Sequence, residues 1–94
     1  MRRNQLLRSE GYWIAQYQIE IFHEFDRFMR KNKISKDKLS KMTGLSKYQI
    51  DQIMRCEFNG NFILIIGACL KIGIVPTLKF IPIDVVISAD KLKR

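Results

Sequence analysis

The segment KYQIDQIMR, which begins at Lys47, separates polar from apolar side chains at the spacing of a helix. Ile50 and Ile53 lie three residues apart and point to one side. The other side carries Lys47, Tyr48, Asp51, Gln52 and Arg55. Lysine, tyrosine, glutamine and arginine can reach into a DNA groove and hydrogen-bond to base edges and phosphates. Asp51 either accepts from a cytosine amine or pairs with Lys47 or Arg55, and we favour the ion pair.

The longer stretch from Lys36 to Cys56 predicts two short helices with a sharp corner between them. Gly44 stands where the first helix should end, because glycine enters the left-handed backbone region without a steric penalty. Leu45 follows as a buried corner residue, and Ser46 is a good N-cap for the second helix. The first helix contributes the apolar or small side chains Leu39, Ser40 and Met42. We interpret this stretch as a helix-turn-helix around which the chain is organised.

Positive charge is concentrated around this predicted motif. The chain has a net charge of +8 and a pI of about 9.8. Residues 27–55 hold nine basic residues against two acids, a local balance of +7, whereas residues 10–26 hold four acids and no lysine or arginine. This charge favours nucleic acid over an acidic membrane or an acidic protein as the partner. Lysines also serve simply as the solvated side of small helices, but their overlap with the motif favours DNA.

The composition limits the classes of protein to which the chain can belong. Its 94 residues correspond to one domain, and an apolar share of 47% is high enough to suggest burial against another chain. Cys56 and Cys69 lack CxxC spacing and are expected to be reduced thiols. His23 is the single histidine, and no catalytic set or phosphate-binding glycine loop is present. We therefore predict no enzyme, no metal and no cofactor.

The chain on either side of the motif predicts two further helices. Residues 1–10 are interpreted as a basic arm, either disordered or lying in a minor groove. Residues 11–31 predict a long helix with an aromatic stripe. Asn61 is expected to cap a helix over residues 62–72, which Gly73 ends. Its apolar run is too short to cross a membrane, and no secretory signal is expected, so we predict a cytoplasmic protein.

Residues 76–87 are predicted to form a C-terminal β-strand. Apolar residues at positions 78 and 80 alternate with polar ones, and prolines near both ends favour an edge position. Because a lone strand leaves its backbone groups unpaired, we expect it to pair with the same strand of a second subunit. The expected dimer contacts are Leu78, Phe80 and Ile81. The aromatic first helix competes for this role, and residues 88–94 are expected to form a basic tail.

With its helices in this order, the chain resembles the XRE family of helix-turn-helix regulators, which includes phage Cro and repressor proteins. The resemblance covers about Tyr17 to Ile74 and is carried by KLSKMTGLSKYQIDQI and NFILIIGACLKIGI. The aromatic first helix and VPTLKF look most like small HigA-type antitoxins and mobile-element regulators. Two residues depart from the family pattern, since Thr43 stands where a bulky aliphatic residue is usual and Ser40 replaces alanine. No counterpart of the family's fifth helix is expected from the sequence, so dimerisation would use another surface, and the resemblance implies a nucleoid-associated protein of prokaryotic or phage origin.

The resemblance implies a four-helix, lambda-repressor-like domain over residues 11–75, all-α except for the single C-terminal strand. It implies DNA base contacts from Lys47, Tyr48 and Gln52. It implies phosphate contacts from Lys36, Ser46, Arg55 and Asn59. The implied function is a transcriptional regulator, a repressor before an activator, that binds double-stranded DNA at a pseudo-palindromic operator as a homodimer. The alternative is an antitoxin or protein-interaction module that neutralises a partner toxin, with or without autoregulation.

Overall fold

The computed structural model describes residues 3–77 and 80–92, and these residues form six α-helices. The helices are α1 (Arg3–Leu6), α2 (Glu10–Asn32), α3 (Lys36–Thr43), α4 (Lys47–Met54), α5 (Phe62–Lys71) and α6 (Ile83–Leu92). The part of the chain that the structure describes contains no strand. The helical class predicted from the sequence is therefore confirmed, and the predicted strand is not.

The longest helix, α2, spans 23 residues and has a local signal at each end. Ser9 is its N-cap, because the serine side chain accepts a hydrogen bond from the Tyr12 amide. At the other end Lys33 adopts the left-handed conformation with φ 53°, which stops the helix. The apolar stripe predicted for this helix turns Ile21 and Phe25 into the core. The helix thereby provides the surface on which α4 packs.

The N-terminal segment predicted to be an arm is attached to the rest of the protein at its described positions. Leu7 is buried, and its carbonyl accepts a hydrogen bond from Trp13 Nε1 at 2.6 Å. In α1, Arg3 binds Asp90 of α6, with 3.1 Å between a guanidinium nitrogen and Oδ1. This charge-assisted contact, together with apolar burial, orders the segment as a short helix. Residues 1–2 lie outside the described residues.

The core lies between the middle helices of the chain, because α4 packs on α2 and α3, and α3 also packs on α5. Its fully buried large side chains are Phe25, Leu39, Ile50 and Ile53. The core also includes Ile21, Leu45, Phe58, Ile65, Ala68, Cys69 and Ile72. Burial of each large apolar side chain contributes about 1.5–3 kcal/mol. The core therefore holds α4 by its apolar side and leaves the polar side of that helix facing outward.

The boundaries of α5 agree with the prediction from the sequence. Asn61 is the N-cap, and its Oδ1 accepts from the Leu64 amide at 3.0 Å. Gly73 follows the helix with φ 81°, in the left-handed region. Cys69 is a free thiol on the buried side of α5, where burial raises its pKa and keeps it protonated. None of the helices among the described residues is long and apolar enough to cross a membrane.

The C-terminal segment differs from the prediction. The predicted strand is wrong for residues 83–87, which belong to α6, and its other described residues form no strand. The Pro82 carbonyl accepts from the amides of Val85 and Val86, so a helical turn begins there. A helix satisfies its backbone groups internally, whereas a single strand needs a partner strand. Leu78 lies outside the described residues, and the predicted tail is helical as far as Leu92.

Replacing Ile53 with alanine tests the packing of α4 on the core. We expect Ile53→Ala to lower the free energy of unfolding by about 2–5 kcal/mol, because the side chain is fully buried and leaves a cavity. Urea unfolding followed by circular dichroism measures the change. Leu92→Ala is the control, since this leucine is exposed, and we expect it to change stability by less than about 0.5 kcal/mol. Equal effects of the two substitutions would contradict the assigned core.

Candidate nucleic-acid interface

The connection between α3 and α4 consists of residues 44–46 and makes a sharp corner. Gly44 is left-handed, with φ 79° and ψ 1°, and its amide donates to the Ser40 carbonyl at 2.9 Å. A Cβ atom at this position would lie 2.9 Å from Lys71 Nζ. The role predicted for Gly44 is confirmed, because its left-handed backbone angle favours glycine, whereas the flexible end of the Lys71 side chain could move aside. Leu45 is buried as predicted.

Side-chain hydrogen bonds hold this corner from inside. Thr43 is buried, and its hydroxyl donates to the Leu39 carbonyl at 2.8 Å and accepts from the Leu45 amide at 3.2 Å. The Ser40 hydroxyl donates to the Leu45 carbonyl. Lys71 Nζ, from α5, donates to the Thr43 carbonyl at 3.4 Å. Ser40 and Thr43 are the two residues that depart from the pattern of the XRE family that the sequence resembles. The hydroxyl groups of both stabilise the corner.

The start of α4 is a reciprocal cap. Ser46 Oγ accepts from the Gln49 amide at 3.1 Å, and Gln49 Oε1 accepts from the Ser46 amide at 2.9 Å. The prediction of Ser46 as the N-cap is confirmed, whereas the role of Gln49 was missed, although serine followed three residues later by glutamine is the sequence signal for this capping box. The amide of Ser46 is therefore already used within the protein.

The polar side of α4 faces away from the core. Ile50 and Ile53 are fully buried, whereas the Lys47 side chain is 74% exposed and Tyr48 is 69% exposed. Gln52 is half-buried and lies one turn after Tyr48 on the same side of the helix. The structure thus places the three predicted base-contacting side chains along one accessible face of α4.

Two ion pairs connect α3 with α4. Lys36 Nζ lies 3.2 Å from Asp51 Oδ1, and Lys47 Nζ lies 3.3 Å from Asp37 Oδ1. The expected pairing of Asp51 with Lys47 or Arg55 is therefore wrong, because folding brings the start of α3 beside α4. Exposed pairs of this kind contribute only about 0–1 kcal/mol. Both lysines can consequently exchange their carboxylate for another anion at small energetic cost.

The remaining two predicted phosphate contacts differ in their surroundings. Arg55 is exposed at the end of α4, where its amide donates to the Asp51 carbonyl at 3.1 Å. Asn59 is also exposed, but its Oδ1 accepts from Gln18 Nε2 of α2 at 3.0 Å. Gln18 also donates to the Phe58 carbonyl at 3.2 Å, which ties the loop after α4 to α2. Arg55 thus continues the polar side of α4, whereas Asn59 is held by a different helix.

The nine basic residues between positions 27 and 55 are all on the surface. These exposed residues are Arg27, Arg30, Lys31, Lys33, Lys36, Lys38, Lys41, Lys47 and Arg55. Arg27 and Arg30 pair with Glu24 and Asp26 one turn earlier on α2, at 3.1 and 3.0 Å. The basic residues of this segment are therefore individually exposed to solvent, and an anionic ligand can approach them without burying unpaired charge.

A metal site would need several histidine, cysteine or acidic side chains close together among the described residues. No set of three or more histidine, cysteine, aspartate or glutamate side chains lies close enough together there to form a metal site. The single histidine, His23, is exposed on α2.

Comparison with family models, with curated proteins and with solved structures finds no match to this chain. The proposed function therefore depends on the residues and the geometry of the corner and of α4.

Replacing Gly44 with alanine tests the corner. We expect Gly44→Ala to destabilise the protein by about 1–2 kcal/mol, because a side chain at φ 79° is strained. Thermal unfolding gives the measurement. Gly11→Ala is the matched control, since Gly11 is helical and an added Cβ there meets only Ser9 Oγ, at 3.7 Å. A neutral Gly44→Ala substitution would show that the corner does not require its left-handed residue.

Proposed function

We propose that this protein is a sequence-specific DNA-binding transcriptional regulator in which α3 and α4 act as a helix-turn-helix. The observation that carries the proposal is the orientation of α4, whose apolar side is fully buried while Lys47 and Tyr48 are exposed, within the most basic segment of the chain. An 8-residue helix with this division is the right size to enter the major groove of DNA. Isolation of bound fragments from genomic DNA is the direct test, and failure to bind any DNA at low salt would contradict it.

Base recognition is assigned to three side chains of α4. Gln52 can form two hydrogen bonds with adenine, and Lys47 suits O6 and N7 of guanine. Tyr48 can pack on a thymine methyl group or donate to a phosphate. Because Tyr48 and Gln52 are separated by one helical turn, they would reach neighbouring base pairs along the groove. The half-buried position of Gln52 limits its rotamers, which favours a defined contact.

Phosphate binding is assigned to the ends of the two motif helices. Lys36 at the start of α3 and Arg55 after α4 are exposed cations on either side of the proposed recognition surface. Ser46 has its amide bound to Gln49, so its phosphate contact would be limited to the hydroxyl group, which is already an acceptor. Asn59 uses its oxygen to accept from Gln18, so its NH₂ group would be the donor to phosphate. Lys36 and Arg55 are therefore the stronger candidates.

The proposed mechanism requires two copies of the chain. Two α4 helices would enter successive major grooves of a pseudo-palindromic operator, with half-site centres about 34 Å apart. An operator that overlaps a promoter would exclude RNA polymerase, so repression would require no catalysis. If roughly six phosphates are neutralised across the dimer, the logarithm of the binding constant should fall with the logarithm of salt concentration at a slope of about −5.

Replacing Gln52 with alanine tests base recognition. We expect Gln52→Ala to weaken binding by about 1–3 kcal/mol at one base pair in each half-site and to relax the preference for that base. Fluorescence anisotropy with a set of single-base operator variants measures both effects. Gln16→Ala on α2 serves as the control and should leave base preference unchanged. If Gln52→Ala left discrimination intact, the proposed orientation of α4 in the groove would be wrong.

Replacing Asp37 with asparagine tests whether Lys47 exchanges the Asp37 carboxylate for a DNA phosphate. We expect Asp37→Asn to tighten DNA binding roughly two- to fivefold, because Lys47 loses its competing carboxylate and the phosphates lose a repulsive neighbour. The same anisotropy titration, repeated at several salt concentrations, provides the measurement. Asp84→Asn in α6 removes an equal charge away from the motif and is the control. An equal gain for both variants would indicate a general charge effect and no specific role for Asp37.

A second candidate function is supported by the apolar surface of α5 and α6. Large apolar side chains are exposed on both helices, including Phe62, Ile63, Leu70, Val85 and Leu92. A protein-interaction module or antitoxin would use such a surface to bind a partner toxin, and autoregulation through α4 is compatible with this role. Co-purification with the product of an adjacent gene, combined with a lack of DNA binding at low salt, would favour interaction as the sole function.

A further inference from the structure

Helix α5 has apolar residues on two opposite sides, and the protein covers only one of them. The inner side consists of the buried residues Ile65, Ala68, Cys69 and Ile72. The opposite side, which we call the outer face of α5, consists of Ile63, Ile66, Gly67 and Leu70. Both sets follow the i, i+3, i+4, i+7 spacing of a helix surface that packs against another helix. The three large side chains of the outer face are 79%, 42% and 55% exposed, respectively.

Gly67 lies in the middle of the outer face, and no contact among the described residues requires a glycine there. An added Cβ atom there would meet no atom within 4 Å, and the residue lies within the regular part of α5. Glycine inside a helix is less favourable than alanine by about 1 kcal/mol. Its usual advantage is to let another backbone or side chain approach closely. The outer face therefore has a shallow notch, with Ile66 beside it.

The charge distribution favours a second copy of this chain as the occupant of that face. Two copies that each carry +8 repel one another. Residues 62–70 contain no charged side chain, so a contact through this face brings no like charges into direct opposition. Lys71, the charged residue of α5, turns its amine to the Thr43 carbonyl beside the corner. A neutral, apolar face is complementary to itself, as a two-fold contact requires.

The exposed area is also close to what a dimer needs. The outer face, with the exposed Phe62 and Leu64 at its margins, presents on the order of 500 Å² of apolar surface, near the upper limit for the largest patch of a monomer. A symmetric contact between two such faces would bury on the order of 1,000 Å², about the minimum expected of a specific interface.

We propose that two copies of this protein associate through the outer face of α5, with the two helices crossing antiparallel between Ile66 and Gly67. Ile66 of each copy then fills the notch at Gly67 of the other, and Ile63 lies over Leu70. This contact takes the role that the sequence had assigned to the C-terminal strand. The choice of a second copy rests partly on the proposed function, because an operator with two half-sites requires two α4 helices.

Sedimentation velocity in the absence of DNA, over a range of protein concentrations, tests the contact. We expect a dimer for the wild type, and we expect Ile63→Glu to raise the dissociation constant roughly tenfold or more, because a carboxylate cannot be buried there unpaired. Phe80→Glu is the matched control, because Phe80 is an exposed large apolar residue outside α5, and it should leave the dimer intact. Circular dichroism verifies that each variant is folded.

Gly67→Ala is a second test variant, and a loss of folding would not explain its expected weakening of the dimer. Alanine should maintain or raise the stability of the protomer, measured at concentrations where the dimer has dissociated, because it favours helix. The same substitution should raise the dissociation constant of the dimer, because its methyl group fills the notch. An unchanged dissociation constant would overturn the crossing at Gly67.

Two further results would overturn the proposal. A wild-type protein that is monomeric at all concentrations would assign the outer face to a different protein. Dissociation by Phe80→Glu, with no effect of Ile63→Glu, would place the contact in the C-terminal segment. DNA binding is measured on the same samples: a monomer that binds DNA fragments overturns the dimer contact alone, whereas a dimer that binds no DNA overturns the proposed function alone.

Discussion

The left-handed turn at Gly44 is the constraint on which the candidate interface depends. It directs α4 away from α3, and the hydroxyl groups of Ser40 and Thr43 hold the turn through the backbone of Leu45. Lys71 adds a contact from α5, so the corner is bound to a helix distant in sequence. Because α4 runs in this direction, burial of its apolar side leaves its polar side facing the solvent. A rigid corner therefore orients the polar side chains before any ligand arrives.

The α3–α4 surface has weak ion pairs, while the chain as a whole carries a high positive net charge. Asp37 and Asp51 pair with lysines of the neighbouring helix, and both pairs are exposed to solvent. Water screens such pairs, so they stabilise the fold little and leave the lysines available to phosphates. The net charge of +8 adds a long-range attraction for polyanions. The proposed function uses both features, since charge would attract DNA and hydrogen bonds would then distinguish bases.

The same fold also leaves part of its apolar surface uncovered. Short helices around a small core bury only part of the 47% of residues that are apolar. In α5 the side facing the core is covered, and the outer face is not. The residues proposed to contact DNA and the uncovered apolar face belong to different helices. The proposed DNA binding and the proposed association of two copies therefore do not compete for the same side chains.

Local chemistry determined much of this protein from its sequence alone. The N-caps at Ser46 and Asn61 and the left-handed Gly44 were predictable, because each depends on contacts within a few residues. Tertiary structure decided the partners of Asp51, since its lysine lies fifteen positions away in the chain. It also decided the C-terminal segment, because a short apolar run suits either a strand or a helix. Without a partner strand, only the helix satisfies the backbone within one chain, and that is a property of the whole fold and not of the local pattern.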